Sequence, residues 1–177
     1  MSQTAKIALA ALGGIGRRPV AASDQDFLLK VYASTRDEEM ALVPWSESQK
    51  TAFLKSQLRA QRLSYEANHP DAAHDIIFLD GRPIGQIWVG RSEEEIRLLD
   101  IAILPEHRGR GVGTALLKEL QDEAARRAKP MRHCVFKTNQ AALAFYARLG
   151  FQTTDDIGLY YLMEWSHRDR EPENTVR

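Results

Sequence analysis

Residues 104–120 read LPEHRGRGVGTALLKEL and set three glycines between an apolar run and a helical pattern. A dinucleotide fingerprint needs a third glycine at the position of Thr114, and a P-loop needs a Gly-Lys pair, which the chain lacks. The stretch also lies between two patterned elements, unlike an RNA-binding arginine-glycine tail. We therefore expect a strand, a tight loop and the start of a helix.

The glycines and arginines of this junction are suited to holding a phosphate group. Backbone N–H groups in the first turn of a helix have no internal partners, and the helix dipole adds partial positive charge there. Glycines let a phosphate approach these amides without a Cβ in the way, and Arg108 and Arg110 add charged donors. Phosphate binding by residues 108–114 is the favoured interpretation, and the alternative is a tight loop that only turns the chain.

The composition is that of a globular domain without a strong electrostatic field. The 177 residues are 44% hydrophobic and 27% charged, and 24 Lys plus Arg balance 24 Asp plus Glu. We expect such a neutral chain, without an apolar run of about eighteen residues, to bind neither nucleic acid nor membrane. A cytoplasmic location is expected, because the apolar stretch at residues 7–12 is too short for a secretory signal.

One domain is expected between two less ordered ends. Residues 1–16 are interpreted as a flexible leader, residues 17–166 as the domain and residues 167–177 as a charged C-terminal tail. Cys134 is the single cysteine, which excludes an internal disulfide, and no Cys/His cluster has zinc spacing. No metal is therefore expected.

The first half of the domain has a helical pattern. After a short strand at residues 18–22, Ser23 and Asp26 predict a capping box that opens a helix over residues 24–34. Ser46 and Gln49 predict a second capping box, which opens a helix through about Asn68. The segment between these helices is ambiguous.

The second half changes to strands and helices in alternation. Asp80-Gly81 predicts a hairpin between two apolar runs, and residues 95–104 predict a third strand. A helix over residues 113–128 would make the strands that it connects parallel. Further elements are a strand at residues 131–138, a helix at 140–149 between Asn139 and Gly150, and two strands within 151–165.

Two motifs resemble the GNAT N-acetyltransferase superfamily. Residues 108–113, RGRGVG, match its [QR]-x-x-G-x-[GA] signature, and residues 138–151, TNQAALAFYARLGF, are similar to its second motif. The resemblance covers about residues 76–165. It implies an α/β fold with a mixed, mostly antiparallel central sheet of six to seven strands, a splayed parallel pair and helices on both faces.

The resemblance implies an N-acetyltransferase with acetyl-CoA as co-substrate. A primary amine, on a small molecule or a protein, would attack the acetyl group directly, and a homodimer is compatible with this. The alternative is a catalytically weak acyl-CoA-binding module used as a sensor or regulator. The positions that match the family's CoA-binding residues are Ile101, Ala102, Ile103, Arg108, Gly109, Arg110, Gly111, Val112, Gly113, Thr114, Asn139 and Tyr146.

Tyr146 matches the family tyrosine placed near the CoA sulfur. A tyrosine of pKa about 10 is protonated at neutral pH and can donate to a departing thiolate of parent pKa about 8.5. The alternative role for Tyr146 is core packing beside Phe145 and Leu149. Asn139 matches a position that hydrogen-bonds the pantetheine arm, and its alternative role is a helix cap.

The sequence offers several candidates for the general base. Many family members have a glutamate near the start of the central strand, where this chain has Arg97 after three glutamates at 93–95. Asp100 lies within the strand, where a carboxylate is costly unless it faces a polar cleft. Asp100 is the first candidate, with the glutamates and water relays as alternatives.

The acceptor site is expected at the segment TRDEEMALVPW and the late strands. Glu38, Glu39 and Trp45 in that segment, with Tyr160 and the adjacent Tyr161, would suit a cationic amine. An ordinary solvated, charged turn is the alternative. Cys134 is expected to be a buried strand residue, His107 and His133 are expected at the surface, and none of the three is expected to be a nucleophile.

Overall fold

The computed structural model describes residues 14–167, which form seven strands and five α-helices. Short 3₁₀ turns at Ala22–Asp24 and Pro105–His107 precede α1 and α4. In chain order the elements are β1 Ile15–Pro19, α1 Gln25–Ser34, α2 Asp37–Ala41, α3 Glu47–Asn68, β2 Ala73–Leu79, β3 Arg82–Arg91, β4 Ile96–Ile103, α4 Val112–Arg126, β5 Met131–Phe136, α5 Gln140–Arg148, β6 Gln152–Ile157 and β7 Tyr160–Trp165.

The strands form one mixed sheet in the order β1-β2-β3-β4-β5-β7-β6. β1 and β2, β5 and β7, and β6 and β7 pair antiparallel, whereas β4 and β5 pair parallel. The parallel register runs only from Ile96↔Met131 to Leu98↔His133, although β4 continues to Ile103. This architecture confirms the predicted mixed sheet with a single crossover helix between its parallel strands.

The hairpin between β2 and β3 is the one that the Asp-Gly pair predicts. Asp80 and Gly81 form a two-residue turn with φ angles of 50° and 76°. A type I′ turn needs positive φ at both central residues, which Asp tolerates and Gly prefers. The turn sets the two strands side by side without a longer loop.

The start of the domain differs from the prediction. β1 begins at Ile15, so Ile15 and Gly16 belong to the sheet rather than to a leader that ends at residue 16. The remainder of the leader and residues 168–177 of the tail lie outside the described residues.

The predicted capping box of Ser23 and Asp26 is wrong. Asp24 replaces it: its carboxylate accepts the guanidinium of Arg18 at 2.6 and 2.7 Å and the amide of Ala21 at 2.7 Å. The bidentate Arg18 pair holds the pKa of Asp24 at about 2. A charge-assisted pair of this kind is stronger than a hydroxyl cap, and it fixes β1 to the turn before α1.

The capping box of α3 is confirmed. Ser46 Oγ accepts from the Gln49 amide at 3.3 Å, and Gln49 Oε1 accepts from the Ser46 amide at 2.9 Å. Part of the ambiguous segment before this cap forms the short helix α2, Asp37–Ala41.

The chain divides into two compact units. The first contains residues up to Trp88 together with Asp100–Val112, and the second contains Val89–Leu99 with the residues from Gly113 onward. In the first unit, Ile76 packs with apolar side chains of α1 and α3, and Val31 packs with Ala102 and Leu104. Fully buried residues of the second unit include Leu116, Leu117, Leu120 and Met131. Burial of each large side chain contributes about 1.5–3 kcal/mol.

β3 and β4 lie very close together at Gly85. A Cβ at this position would sit 2.2 Å from the Ala102 carbonyl oxygen and 3.0 Å from the Ile103 Cα. Glycine is therefore required by backbone proximity, and it sets the position of the β4 segment that ends at the glycine loop.

Within residues 14–167, no helix combines the length and apolarity of a membrane span.

Candidate active site

The glycine-rich junction has the predicted order of strand, tight loop and helix. β4 ends at Ile103, the Pro105–His107 turn follows, and α4 begins at Val112. Gly109 and Gly111 have φ angles of 72° and 80°, which side chains with a Cβ rarely adopt. A Cβ at either glycine would meet nothing within 4 Å, so the loop presents an open backbone surface.

Arg108 makes two hydrogen bonds within the loop instead of leaving its amide open to a phosphate group. Its backbone N–H donates to the Pro105 carbonyl at 3.1 Å, and its side-chain Nε donates to the Ile103 carbonyl at 2.8 Å. The Arg108 amide and Nε are therefore already paired within the loop, and phosphate binding by residues 108–114 stays a prediction. Arg108 ties the loop to the end of β4, while Arg110 is exposed.

The first turn of α4 completes the loop. The Val112 side chain is buried and anchors the helix start. Amides of Val112, Gly113 and Thr114 lie in the first turn, where N–H groups have no partner within the helix and the dipole is positive. Together with Gly109 and Gly111, these amides can bind a phosphate anion.

The β4 residues predicted to face the pantetheine arm lie beyond the parallel ladder. The β4–β5 register ends at Leu98, three residues before Ile101. The Ala102 side chain is buried and packs with Val31 and Leu104 of the first unit. The Leu104 amide donates to the Ile84 carbonyl at 2.9 Å, so β3 supports the end of this segment.

Asn139 is the N-cap of α5. Its Oδ1 accepts the Ala142 amide at 3.0 Å, which realises the alternative role that the sequence left open. The side-chain nitrogen takes no part in this cap. A role toward pantetheine is compatible with the cap and stays a prediction.

Tyr146 is 3% exposed and lies on the buried face of α5. Its ring centroid is 4.6 Å from that of His133, 5.3 Å from that of Phe145 and 5.5 Å from that of Phe151. These contacts fix the plane of the ring. Packing is therefore one role of Tyr146, and proton donation stays a prediction.

His133 is not the surface residue that the sequence suggested. It is partly buried in β5, and its Nδ1 lies 2.7 Å from the Leu98 carbonyl oxygen at the last pair of the parallel ladder. Burial lowers the pKa of His133 to about 4, so the ring is neutral and Nδ1–H is the donor. Cys134 is partly buried, with its Sγ 3.8 Å from Arg97 Nη1.

Asp100 lies in a polar setting on β4. Gln86 Nε2 donates to Asp100 Oδ2 at 2.8 Å. Burial raises the pKa of Asp100 to about 6, against the opposing effects of the Gln86 hydrogen bond and the Arg36 charge. A carboxylate with this pKa is ionised at neutral pH and can still accept a proton.

Sequence reasoning missed Gln86 and His74. Gln86 is 3% exposed, and its Oε1 lies 3.0 Å from His74 Nε2. The signal was a single amide within the apolar run PIGQIWV, which is unusual unless the amide has a buried partner.

Two of the three glutamates that were alternative bases, Glu93 and Glu95, form ion pairs. Glu95 accepts from Arg97 at 2.9 Å and from Arg132 at 2.9 Å, and Glu93 lies 3.6 Å from Lys129. Arg97 is thus neutralised by Glu95. Among these carboxylates, Asp100 has the environment most suited to proton transfer.

The predicted acceptor residues are exposed. Glu38 and Glu39 lie on α2, where Glu39 pairs with Arg36 at 3.2 Å. The Trp45 ring packs edgewise on Phe53, with centroids 5.3 Å apart. Tyr160 belongs to the second unit and is 43% exposed, so each of these residues has a surface on which a ligand could lie.

A strand, a loop with two left-handed glycines and a helix N-terminus in direct succession are the parts of an α/β phosphate-binding unit. The chain belongs to the GNAT acetyltransferase family, whose model matches residues 32–151. The described strands form a mixed sheet with one parallel pair, which agrees with this membership.

Known proteins of the same kind align with parts of the chain. An uncharacterized N-acetyltransferase of Methanocaldococcus jannaschii is 33% identical over 87 residues, and an acetyltransferase of Pectobacterium atrosepticum is 26% identical over 93 residues. These alignments cover 45% and 52% of this chain but only 38% and 66% of the two relatives.

A solved structure has the same fold. The PaiA N-acetyltransferase of Thermoplasma acidophilum, crystallised in complex with coenzyme A, superposes with a TM-score of 0.63 at 22% identity. The match covers 86% of this chain and 99% of that one.

Proposed function

We propose that this protein transfers an acetyl group from acetyl-CoA to a primary amine on a small molecule or a protein. The observation that carries the proposal is the open glycine loop at Gly109 and Gly111, directly before the α4 N-terminus. Membership of the GNAT family and the likeness to an N-acetyltransferase bound to coenzyme A support it.

The loop would hold the CoA pyrophosphate. Amides from Gly109 to Thr114 would donate to its oxygens, and Arg110 would add a charged donor. The β4 backbone at Ile101, Ala102 and Ile103 would pair with the pantetheine arm. The Asn139 side-chain nitrogen, which the helix cap leaves available, would donate to the same arm.

The reaction would be a direct attack on the thioester. The neutral amine attacks the carbonyl carbon, and the tetrahedral oxyanion needs an aimed N–H donor. The C–S bond then breaks with its electron pair going to sulfur. Tyr146 would give its hydroxyl proton to that sulfur and regain, through water, the proton that the attacking nitrogen must lose to become an amide nitrogen. The products are the amide and free CoA thiol.

Asp100 would take the proton that the amine must lose. An alkylammonium has a pKa of about 10, so transfer of its proton to Asp100 is uphill. The Asp100 carboxyl then releases that proton to water, because its pKa lies below neutral pH. The pKa of about 6 keeps Asp100 ionised at neutral pH. Glu38, Glu39 and Trp45 of the first unit are proposed acceptor contacts, and Tyr160 of the second unit is a separate candidate.

An acceptor screen tests the function. The protein is incubated with acetyl-CoA and a panel of amines, polyamines, amino acids and peptides, and released thiol is measured against a reaction without acceptor. Thiol release that needs both acceptor and protein, and that Gly111→Glu abolishes, is expected. Binding of acetyl-CoA without acetylation of any acceptor would favour the alternative, a sensor module.

A further inference from the structure

A line of three polar side chains crosses three neighbouring strands of the first unit. His74 on β2, Gln86 on β3 and Asp100 on β4 are joined by contacts of 3.0 and 2.8 Å. Gln86 lies at the centre and is 3% exposed, while the two end members are partly buried. An amide in this position has no water to replace a lost partner, so its two hydrogen bonds are fixed.

The direction of each hydrogen bond follows from the carboxylate. Ionised Asp100 can only accept, so Gln86 must turn its Nε2 toward Oδ2. The Gln86 Oε1 then faces His74 and must accept from it, which places the His74 proton on Nε2. Burial lowers the pKa of His74, so the ring donates as the neutral tautomer.

Aromatic packing holds the far end of the line. The His74 ring stacks on Trp88 with centroids 4.0 Å apart and planes 5° from parallel. Tyr65 of α3 packs edgewise on Trp88, with centroids 5.1 Å apart. The imidazole therefore cannot turn without disrupting buried aromatic contacts, and its N–H stays aimed at Gln86.

We propose that Gln86 and His74 are positioning residues for Asp100, aiming one donor at its Oδ2 so that the carboxylate keeps a fixed orientation and stays ionised. This inference rests on the proposed role of Asp100 as the base. His74 has no contact with the reacting atoms in this scheme, because it acts through the Gln86 amide.

The hydrogen bond from Gln86 opposes the increase in the Asp100 pKa that burial causes. Burial disfavours the carboxylate, whereas the Gln86 donor and the positive charge of Arg36 favour it. The charged groups that interact with His74 are Arg62 and Glu66 of α3, Asp75 of β2 and Asp24 of the turn before α1. A hydrogen bond to a charged group is worth about one to two pKa units, so loss of the Gln86 donor leaves Asp100 protonated closer to neutral pH.

The test is the pH dependence of kcat/KM for Gln86→Leu, measured with an acceptor from the screen. The ratio of variant to wild type at each pH cancels the titration of the acceptor amine. The acid limb is the part of the profile in which kcat/KM falls as the pH decreases. It is expected to move to higher pH by about one to two pH units. Gln121→Leu is the matched control, since Gln121 is 2% exposed and donates at 2.8 Å to the Leu149 carbonyl. It removes an equally buried amide and should leave the limb in place.

His74→Phe tests the far end separately. The phenyl ring can keep the stack on Trp88 but has no N–H for Gln86 Oε1. An upward movement of the acid limb, smaller than that of Gln86→Leu, is expected. If the acid limb of the kcat/KM profile stays at its wild-type pH in both variants, the proposal is wrong.

Titration of the Asp100 carboxyl carbon by NMR in the free protein gives a readout without turnover, with Asp100→Asn identifying the signal. If Asp100→Asn keeps full activity and the same acid limb, the base assignment fails, whatever Gln86 does. If Asp100→Asn removes the limb but Gln86→Leu leaves both the limb and the carbon titration unchanged, the positioning role alone is wrong.

Discussion

At the scale of single residues, Tyr146 combines a packing role with the proposed role as proton donor. Its ring contacts His133, Phe145 and Phe151 on the buried face of α5. Tyr146→Phe keeps the ring and its packing contacts, so CoA affinity should change little. Turnover should fall by roughly a hundredfold to ten-thousandfold, mainly in kcat, because proton donation acts in the transition state. Full kcat in the variant, with chemistry rate-limiting, would leave Tyr146 with packing alone.

The pKa of Asp100 predicts the pH below which kcat/KM should fall. An ordinary aspartate has a pKa of about 3.9, whereas burial raises the pKa of Asp100 to about 6. A base acts only when deprotonated, so kcat/KM should fall about tenfold per pH unit once the pH drops below about 6. The measurement is the wild-type profile between pH 4.5 and 8, corrected for the acceptor's own titration. An acid limb near pH 4 would exclude Asp100 as the group observed.

At the scale of secondary-structure elements, the β3–β4 contact depends on Gly85. A Cβ there would approach the Ala102 carbonyl oxygen to 2.2 Å, and neither backbone can move without shifting the strand that leads to the glycine loop. Gly85→Ala should destabilise the fold by at least about 1–3 kcal/mol, as overpacking does. Thermal or urea unfolding measures the loss.

Gly158→Ala is the control for Gly85→Ala. Gly158 has a φ of +74° and open space around its Cβ position. Alanine there should therefore destabilise the fold only by the cost of a left-handed backbone conformation, about 1–2 kcal/mol. A loss below about 1 kcal/mol in Gly85→Ala would mean that β3 and β4 tolerate the extra methyl group and that their proximity does not require glycine.

The elements that the sequence predicted well are those decided by neighbouring residues. The Asp80-Gly81 turn, the Ser46–Gln49 box and the Asn139 cap each need partners within three positions, so pattern and local chemistry suffice. Patterning also predicted the strand–loop–helix order and the parallel pair. The mixed sheet of six to seven strands depended on the resemblance rather than on periodicity, and the order of the strands within it was not predicted.

The errors have non-local or competing causes. His133 was assigned to the surface because its partner, the Leu98 carbonyl, comes from a strand 35 residues earlier. Ser23 lost its predicted cap because Arg18 recruits Asp24. The line from His74 to Asp100 joins three strands, and no local pattern connects residues 12 and 14 positions apart.

At the scale of the whole molecule, acetyl-CoA binding should appear as increased stability. A ligand at about a hundred times its dissociation constant that binds only the folded state adds about 2.7 kcal/mol. For a chain of this size the melting temperature should rise by about 5–10 °C. The measurement is a thermal-unfolding titration of the full chain with acetyl-CoA.

Gly111→Glu should abolish that stabilisation, because it places a carboxylate where the phosphate would lie and strains a backbone with a φ of +80°. Gly158→Glu is the matched control. It makes the same change at a glycine with a φ of +74°, again with nothing within 4 Å of its Cβ position. Both variants carry the same charge and nearly the same backbone strain, so only the loss of the phosphate site separates them. The control should lose some stability but keep the shift with acetyl-CoA. A wild-type protein without any shift would remove the acetyltransferase and the sensor together, and an equal loss of the shift in both variants would show that the glycine loop is not where CoA binds.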